Sequence, residues 1–177
     1  MAYTLEQFGA DCHAALTRDP GPDGRENIRA RLETLLASGE FVDRLSEQAS
    51  GKSVLYHDPA TGIYVMAHGT GEGSRKGKPH DHGASWAVYG QVAGITEMTV
   101  WERTDDRGRP GHAVLAAIHD FTLAPGAAVL FDTGIIHSTA HPRPARWVRV
   151  TGADLDTIER YAYDPARHTM TRMIRGG

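Results

Sequence analysis

The sequence predicts an all-β barrel or sandwich that is preceded by a helical segment. Up to about residue 49, apolar residues recur at helical spacing. From about residue 53, short runs of β-branched and aromatic residues alternate with Gly, Pro and Asp turns. A chain of 177 residues fits one domain with a full core. We therefore expect a single domain over 1–177, with its helical part at 1–49 and its barrel at 53–165.

The helical segment divides into three parts. Thr4 and Gln7 have the spacing of a capping box, which predicts the start of the first helix. The apolar face of this helix is Leu5, Phe8, Cys12 and Leu16. The run PGPDG at 20–24 ends it. A second helix, ending near Ser38, has the apolar face Ile28, Leu32, Leu35 and Leu36, and a short continuation carries Phe41, Val42 and Leu45. We expect these helices to pack on the outside of the barrel.

Six short runs are predicted strands. They cover residues 63–68, 86–92, 95–102, 114–123, 127–131 and 147–151. The sequences VAG at 92–94 and DDRG at 105–108 have the composition of hairpin turns. Many short strands joined by turns favour a barrel or a sandwich over a parallel sheet with helical connections.

Charge and composition exclude several classes of function. The net charge of −3 and the pI near 6.3 do not suggest a protein that binds nucleic acid or a membrane surface. No apolar stretch approaches the roughly 20 residues that span a bilayer, and the first residues do not resemble a signal peptide. The single cysteine, Cys12, excludes an internal disulfide and is expected to be a small apolar core residue. We expect a cytoplasmic protein whose partner is a small molecule.

Three of the ten histidines have the spacing of metal ligands. His80 and His82 are two residues apart, and in a strand residues i and i+2 point to the same face. A third ligand has to come from a strand that folds back, and His137 follows a Pro-Gly turn, a strand and a second turn. We take these three histidines as the metal-binding and catalytic residues. Five others are expected on the surface or around the site: His13, His112, His119, His141 and His168.

These segments together resemble the pair of motifs found in cupins. The first has HxH with Gly94 twelve residues after His82, and the second has P-G followed by G-I-I-H. The resemblance implies a double-stranded β-helix, the jelly-roll barrel of the cupins. The usual first motif places a glutamate ligand four or five residues after its second histidine, where this chain has Trp86 and Ala87. The chain is therefore similar to the three-histidine cupins that lack this glutamate.

Among those proteins, the chain looks most like the thiol dioxygenases. The stretches PHDHGASWAVYGQVAG and VTGADLDTIERYAYDP are similar to the metal segment and the closing segment of the bacterial 3-mercaptopropionate dioxygenase type, and the likeness runs over about 54–165. It implies an Fe(II) cofactor, with O2 and a small carboxylate-bearing thiol as substrates. Zinc or nickel could replace iron during purification, because divalent ions of those metals bind such sites more tightly. A homodimer is compatible with this resemblance.

The chain also departs from the thiol dioxygenases. Their closing strand commonly carries Ser, His and Tyr at alternate positions, and the positions that match are Trp147, Arg149 and Thr151. The hydrogen-bonded tyrosine of those enzymes is missing, so low activity on simple cysteine is expected. Ala87 stands where some of them carry the cysteine of a Cys–Tyr thioether, so that crosslink cannot form.

Two arginines are candidates for binding the carboxylate of the substrate. Arg160 matches the arginine that has this role in the mercaptopropionate type, and Arg149 is its rival because it lies in the closing strand itself. Valines 148 and 150 take the other face of that strand, and the sequence leaves open which face looks into the barrel. His57 lies near the position of an arginine that binds the carboxylate in cysteine dioxygenases. The candidates for substrate binding are Arg160, Arg149, Thr151, Trp86 and His57.

The proposed ligand set limits the chemistry without choosing one reaction. Three neutral imidazoles leave a +2 charge uncompensated and about three positions open on an octahedral ion. A thiol would lose its proton on binding such an ion, so the site suits a thiolate or an enolate. Two alternatives stay open: a dioxygenase that cleaves a C–C bond of a diketone or enol, and a metal-binding cupin without catalysis. The aromatic residues Trp86 and Tyr89 either shape the pocket or fill the barrel as ordinary core residues.

Overall fold

The computed structural model describes residues 3–173, in which three helices precede eleven strands. The helices are α1 (Leu5–Arg18), α2 (Pro22–Leu36) and α3 (Gly39–Ser46). The strands are β1 (Gly51–Asp58), β2 (Ile63–Gly69), β3 (Arg75–Lys76), β4 (Ala87–Ala93), β5 (Thr96–Arg103), β6 (Leu115–Leu123), β7 (Ala128–Phe131), β8 (Ile136–His141), β9 (Arg146–Thr151), β10 (Arg160–Asp164) and β11 (Thr169–Met173).

The strands form two antiparallel sheets and a hairpin. One sheet has five strands in the order β1-β2-β9-β4-β7, and a second has four in the order β3-β8-β5-β6. A hairpin of β10 and β11 follows. All of these pairings are antiparallel. The predicted all-β class, with N-terminal helices packed outside the sheets, is confirmed.

The helices begin and end where the sequence indicates. The capping box of α1 is formed, with the Gln7 backbone N–H donating to the Thr4 hydroxyl at 3.2 Å and the Thr4 N–H donating to Gln7 Oε1 at 2.9 Å. Pro22 opens α2, a position where its missing N–H and fixed φ are tolerated. Among the described residues, no helix is long and apolar enough to cross a membrane.

The helices cover the outer face of the five-stranded sheet. Their buried side chains join one core cluster with outward-facing residues of β2, β4 and β9, among them Val88, Val148 and Val150. Gly90 allows α2 to come close, because a Cβ at that position would lie 2.7 Å from Leu32 Cδ2. Leu32 is fully buried, and each such side chain contributes about 1.5–3 kcal/mol.

The inner face of the same sheet looks into the barrel. Tyr89 of β4 pairs with Arg149 of β9, and Ala87 pairs with Thr151. Paired residues of antiparallel strands share a face. Because Ala87 and Tyr89 pack with Met98 of the opposite sheet, Arg149 and Thr151 also face the interior.

One predicted turn is wrong. Residues 92–94 do not form a hairpin, because β4 and β5 belong to different sheets. Gly94 has a φ of +67°, and a Cβ there would lie 2.5 Å from the Pro144 carbonyl, so the chain passes tightly from one sheet to the other. The predicted hairpin around 105–108 does join the paired strands β5 and β6.

Candidate metal centre

His80, His82 and His137 come together inside the barrel. One ring nitrogen of each lies within 4.8 Å of the others. The ring centroids are 4.6 Å apart for His80 and His137, 4.8 Å for His82 and His137, and 5.4 Å for His80 and His82. His137 is fully buried and His82 is 2% exposed. The three histidines that were predicted from their spacing in the sequence therefore form one cluster in the structure.

The way in which His80 and His82 meet differs from the expectation. They are not neighbours on a regular strand: His80 forms an isolated β-bridge with His137, and His82 lies in the loop before β4. The bridge has two backbone hydrogen bonds, from His80 N–H to the His137 carbonyl at 2.9 Å and back at 3.0 Å. Pairing with β8 places His80, and the loop that follows brings His82 to the same ion position.

Asp81 holds this loop in place. Its Oδ1 accepts hydrogen bonds from the backbone N–H groups of Gly83 at 2.9 Å and Tyr161 at 3.1 Å, and its Oδ2 accepts one from the Tyr163 hydroxyl at 2.7 Å. Gly83 has a φ of +59°, and a Cβ there would lie 1.9 Å from the Glu159 carbonyl. The carboxylate that separates the two histidines therefore turns away from them and fastens their loop to β10.

The three imidazoles are neutral, as metal ligands have to be. Burial lowers the pKa of each, and the neighbouring histidines lower the pKa values of His82 and His137 further. His80 Nδ1 lies 3.0 Å from the Lys78 carbonyl, which can only accept, so Nδ1 carries the proton and Nε2 has the free lone pair. Three converging neutral donors in a buried position fit a divalent metal ion.

Tyr89 is a site residue that the sequence analysis left as possible core filling. Its hydroxyl lies 3.2 Å from His82 Nε2 and 3.4 Å from His137 Nε2. Phe131 packs against the rings of His137 and Tyr89. It stacks on His137 at a centroid distance of 3.9 Å and meets Tyr89 edge-on at a centroid distance of 5.8 Å. The sequence contained a clue to the role of Tyr89. Ala87 is one of the two positions that match the glutamate ligand of the usual cupin motif, and Tyr89 lies two residues further along the same strand face.

Arg149 brings a positive charge into the same interior. Its Nε is buried without a hydrogen-bond partner, and one of its terminal nitrogens lies 3.6 Å from Met66 Sδ. Arg149 pairs with Tyr89 across the β4–β9 ladder, and its charge acts to lower the pKa of the Tyr89 hydroxyl, against the larger effect of burial. Within residues 3–173, Arg149 forms no ion pair. Arg149 as a whole is half-buried, but a buried charged N–H group without a partner is costly, so this position favours an anion.

Arg160 lies near the site but already has partners. Its Nε donates to the Leu155 carbonyl at 2.9 Å, and a terminal nitrogen lies 3.5 Å from Asp156 Oδ1. Its side chain is 20% exposed. Its charge, with that of Arg149, lowers the pKa values of His80 and His82 after the larger effect of burial. Both arginine candidates therefore lie close to the histidines, and only Arg149 lacks a carboxylate or carbonyl partner.

The other predicted substrate residues lie further from the cluster. Thr151 faces the interior, but its hydroxyl donates to the Ala153 carbonyl at 2.8 Å. Of the two alternatives for Trp86, the structure supports the core residue, because Trp86 belongs to the outer core under the helices and fits against Gly152. His57 is exposed on the edge strand β1, where it stacks on Tyr64 and bonds to the Ile63 carbonyl.

A second histidine group occupies the other end of the barrel interior. His68 and His141 lie on Trp147, at centroid distances of 5.2 and 4.5 Å and interplanar angles of 7° and 15°. His141 was expected on the surface or around the site, and it is 4% exposed, with its Nδ1 3.1 Å from the Thr96 hydroxyl. We call these residues, His68, Trp147 and His141, the tryptophan stack.

No protein-family model matches the chain, and no curated protein sequence matches it. Known cupin structures do. The chain is similar over 61% of its length to a cupin superfamily protein from Desulfitobacterium hafniense, with 13% identity, 84% of that chain covered and a TM-score of 0.44. A cupin-2 domain protein from Shewanella frigidimarina matches 62% of the chain, with 15% identity, 89% of its own length and a TM-score of 0.43.

A third similar structure is the DMSP lyase DddQ from Ruegeria pomeroyi. The match has 18% identity and a TM-score of 0.43, and it covers 61% of this chain. It spans 49% of the lyase, so the chain corresponds to about half of that protein.

Proposed function

We propose that this protein is an Fe(II)-dependent cupin dioxygenase of the thiol-oxidising type, which acts on a small thiol that carries a carboxylate. The observation that carries the proposal is the unpaired Arg149 guanidinium in the same interior as three neutral histidines. Together with a divalent ion, this interior holds two centres of positive charge and no carboxylate in the histidine cluster. A substrate with two anionic groups, a thiolate and a carboxylate, compensates both.

Different residues of the chain would bind the iron and orient the substrate. His80, His82 and His137 would hold the iron, which when bound would supply open coordination positions and redox chemistry. Arg149 would bind the substrate carboxylate through two parallel N–H donors, as a guanidinium does. Phe131 and Tyr89 pack against His137 and would limit the access of water from that side. Fixing the substrate at both ends is the positional part of catalysis.

The proposed reaction needs no additional reductant. A thiol and O2 give a sulfinate, R–SH + O2 → R–SO2⁻ + H⁺. Both oxygen atoms end on sulfur, whose four-electron oxidation matches the four-electron reduction of O2, and the thiol proton passes to solvent. One molecule of O2 should therefore disappear for each molecule of thiol.

Oxygen uptake by the iron-loaded protein tests the reaction. We expect uptake with 3-mercaptopropionate, much slower uptake with cysteamine, which has no carboxylate, and none with acetylacetone. Cysteine should be a poor substrate, because Thr151 replaces the tyrosine of the related enzymes. Uptake with acetylacetone alone would favour the diketone-cleaving alternative. No substrate-dependent uptake by protein with a full complement of iron would favour a metal-binding cupin without catalysis.

Two matched variants test which arginine binds the carboxylate. Arg149→Met and Arg160→Met each remove the charge and keep much of the bulk. Losing a charged hydrogen-bond pair costs about 1.5–3 kcal/mol, so Arg149→Met should weaken binding of the thiol substrate roughly 10- to 100-fold, with unchanged metal content. Arg160→Met should weaken it less, because Arg160 is already bonded to Leu155 and Asp156. The reverse order would make Arg160 the anchor, as the family resemblance implies.

A further inference from the structure

The hydroxyl oxygen of Tyr89 lies where another ligand of the same ion would lie. Neighbouring ligands that bind one ion at about 2.1 Å, with angles between roughly 90° and 110°, are about 3.0–3.4 Å apart. The Tyr89 oxygen lies 3.2 Å from His82 Nε2 and 3.4 Å from His137 Nε2. Both distances fall within the separation of two donors that share a metal.

We propose that Tyr89 is a fourth protein ligand, which binds the metal through its phenolate oxygen. This proposal rests on one part of the proposed function, the metal ion at the three histidines. It does not depend on the oxidation of a thiol. The metal set would then be His80, His82, His137 and Tyr89, with three neutral donors and one anion. It leaves two positions of a six-coordinate ion open, enough for two exogenous atoms.

The packing of Tyr89 directs its oxygen at the metal position. The residue is 4% exposed and belongs to the strand β4, which is paired on both sides. Its ring meets Phe131 edge-on and His137 at a centroid distance of 5.5 Å, also edge-on. A ring held in this way cannot swing its hydroxyl to solvent. Its hydroxyl contacts both ligand histidines.

The charges around Tyr89 favour the phenolate once an ion is present. A bound divalent ion is the largest local charge in such a site, and it would remove the proton of a coordinating phenol as it does that of a coordinating thiol. Arg149, which pairs with Tyr89 across the β4–β9 ladder, adds a second positive charge nearby. On metal binding the phenolic O–H bond breaks, an oxygen–metal bond forms, and the proton passes to solvent.

This ligand would also add an anion close to Arg149. A metal ion and a guanidinium repel each other, and an anion between them compensates both. Tyr89 lies directly opposite Arg149 across the β4–β9 pair. A guanidinium has five N–H donors, so Arg149 can contact the phenolate and still bind a substrate carboxylate.

Visible absorption of the ferric protein tests the proposal without using catalysis. A phenolate bound to Fe(III) gives an intense charge-transfer band in the visible region, and imidazole ligands alone do not. We expect this band in the wild-type protein loaded with one Fe(III) per chain, and its loss in Tyr89→Phe, which keeps the ring packing. Tyr64→Phe is the matched control, because Tyr64 lies on the same sheet face but contacts His57 and not the histidine cluster. That control should keep the band.

The metal affinity gives a second measurement. Removing the ligand should weaken Fe(II) binding by Tyr89→Phe roughly 10- to 100-fold, while Tyr64→Phe binds as the wild type does. The proposal would be overturned by a wild-type ferric protein that has one iron per chain and no visible band, or by a band that survives in Tyr89→Phe. Neither result would bear on thiol oxidation, which the oxygen-uptake assay measures separately.

Discussion

Histidines lie at both ends of the barrel interior, but the orientation of their rings differs between the two ends. At the metal centre, His80, His82 and His137 direct ring nitrogens at a common point. In the tryptophan stack, the rings of His68 and His141 are nearly parallel to the ring of Trp147. Burial lowers the pKa of every one of these five histidines. Burial and a lowered pKa are therefore common to both groups, and the converging ring nitrogens distinguish the candidate metal centre.

The largest expected effect separates the two ends by metal binding. His137→Ala removes a ligand and should lower the affinity for Fe(II) by more than about 100-fold. His68→Ala and His141→Ala remove buried imidazoles of the same kind and should leave one metal ion per chain. Isothermal titration and elemental analysis measure both quantities. Metal loss in the two stack variants, with retention in His137→Ala, would reverse the assignment of the two ends.

A smaller effect is expected from the loop that fixes His80 and His82. Asp81→Ala leaves three donors without their acceptor, the N–H groups of Gly83 and Tyr161 and the Tyr163 hydroxyl. Each unsatisfied group costs about 1–3 kcal/mol, less where water can reach it, so we expect a loss of about 3 kcal/mol in the free energy of unfolding.

The same substitution should also weaken metal binding, because the loop carries two of the ligands. Denaturant unfolding of the metal-free protein measures the stability, and Asp120→Ala on the exposed part of β6 is the control. Unchanged metal affinity in Asp81→Ala would mean that β8 alone positions the histidines.

The tryptophan stack should make the metal-free protein sensitive to acid. Burial, and then the charges of Arg149 and Lys52, lower the pKa of His68 to about 3, against a usual value near 6.5. Between these values the unfolded chain binds a proton that the folded chain does not, so stability falls as the pH falls from 6.5 towards 3. At pH 5 this amounts to about 2 kcal/mol.

His68→Phe keeps a ring on Trp147 and removes the titrating group. Unfolding in denaturant at pH 7 and pH 5 should show that the wild type loses about 2 kcal/mol more than this variant. The histidines of the metal centre are present in both proteins, so their titration cancels in the comparison. Equal losses would mean that His68 is protonated in the folded protein.

The sequence predicted the cluster of three histidines better than the residues around it. The spacing of His80, His82 and His137 was sufficient to predict that their side chains meet. An HxH pair and a histidine near a strand that folds back can be arranged in few other ways. The helical periodicity likewise predicted three helices close to their observed bounds. The tryptophan stack escaped notice because its two histidines are distant in sequence and meet only through the pairing of β2, β8 and β9 with their neighbours.

The two faces of β9 show why the direction of the Arg149 side chain could not be predicted from the sequence. Valines 148 and 150 alternate with Arg149, which in a sheet with one solvent-exposed face would place the arginine outside. Here the helices cover the outer face, so the valines pack under them and Arg149 turns into the barrel. Which face is the interior depends on contacts between α2 and the sheet, and no local pattern in β9 encodes them.

Anomalous diffraction at the iron edge, from crystals of the Fe(II)-loaded protein, tests the central claim most directly. The account predicts one peak per chain, about 2.0–2.3 Å from one ring nitrogen each of His80, His82 and His137. No peak should lie beside His68 or His141. A peak at the tryptophan stack, or rings of the three histidines that diverge around an iron-free interior, would contradict it.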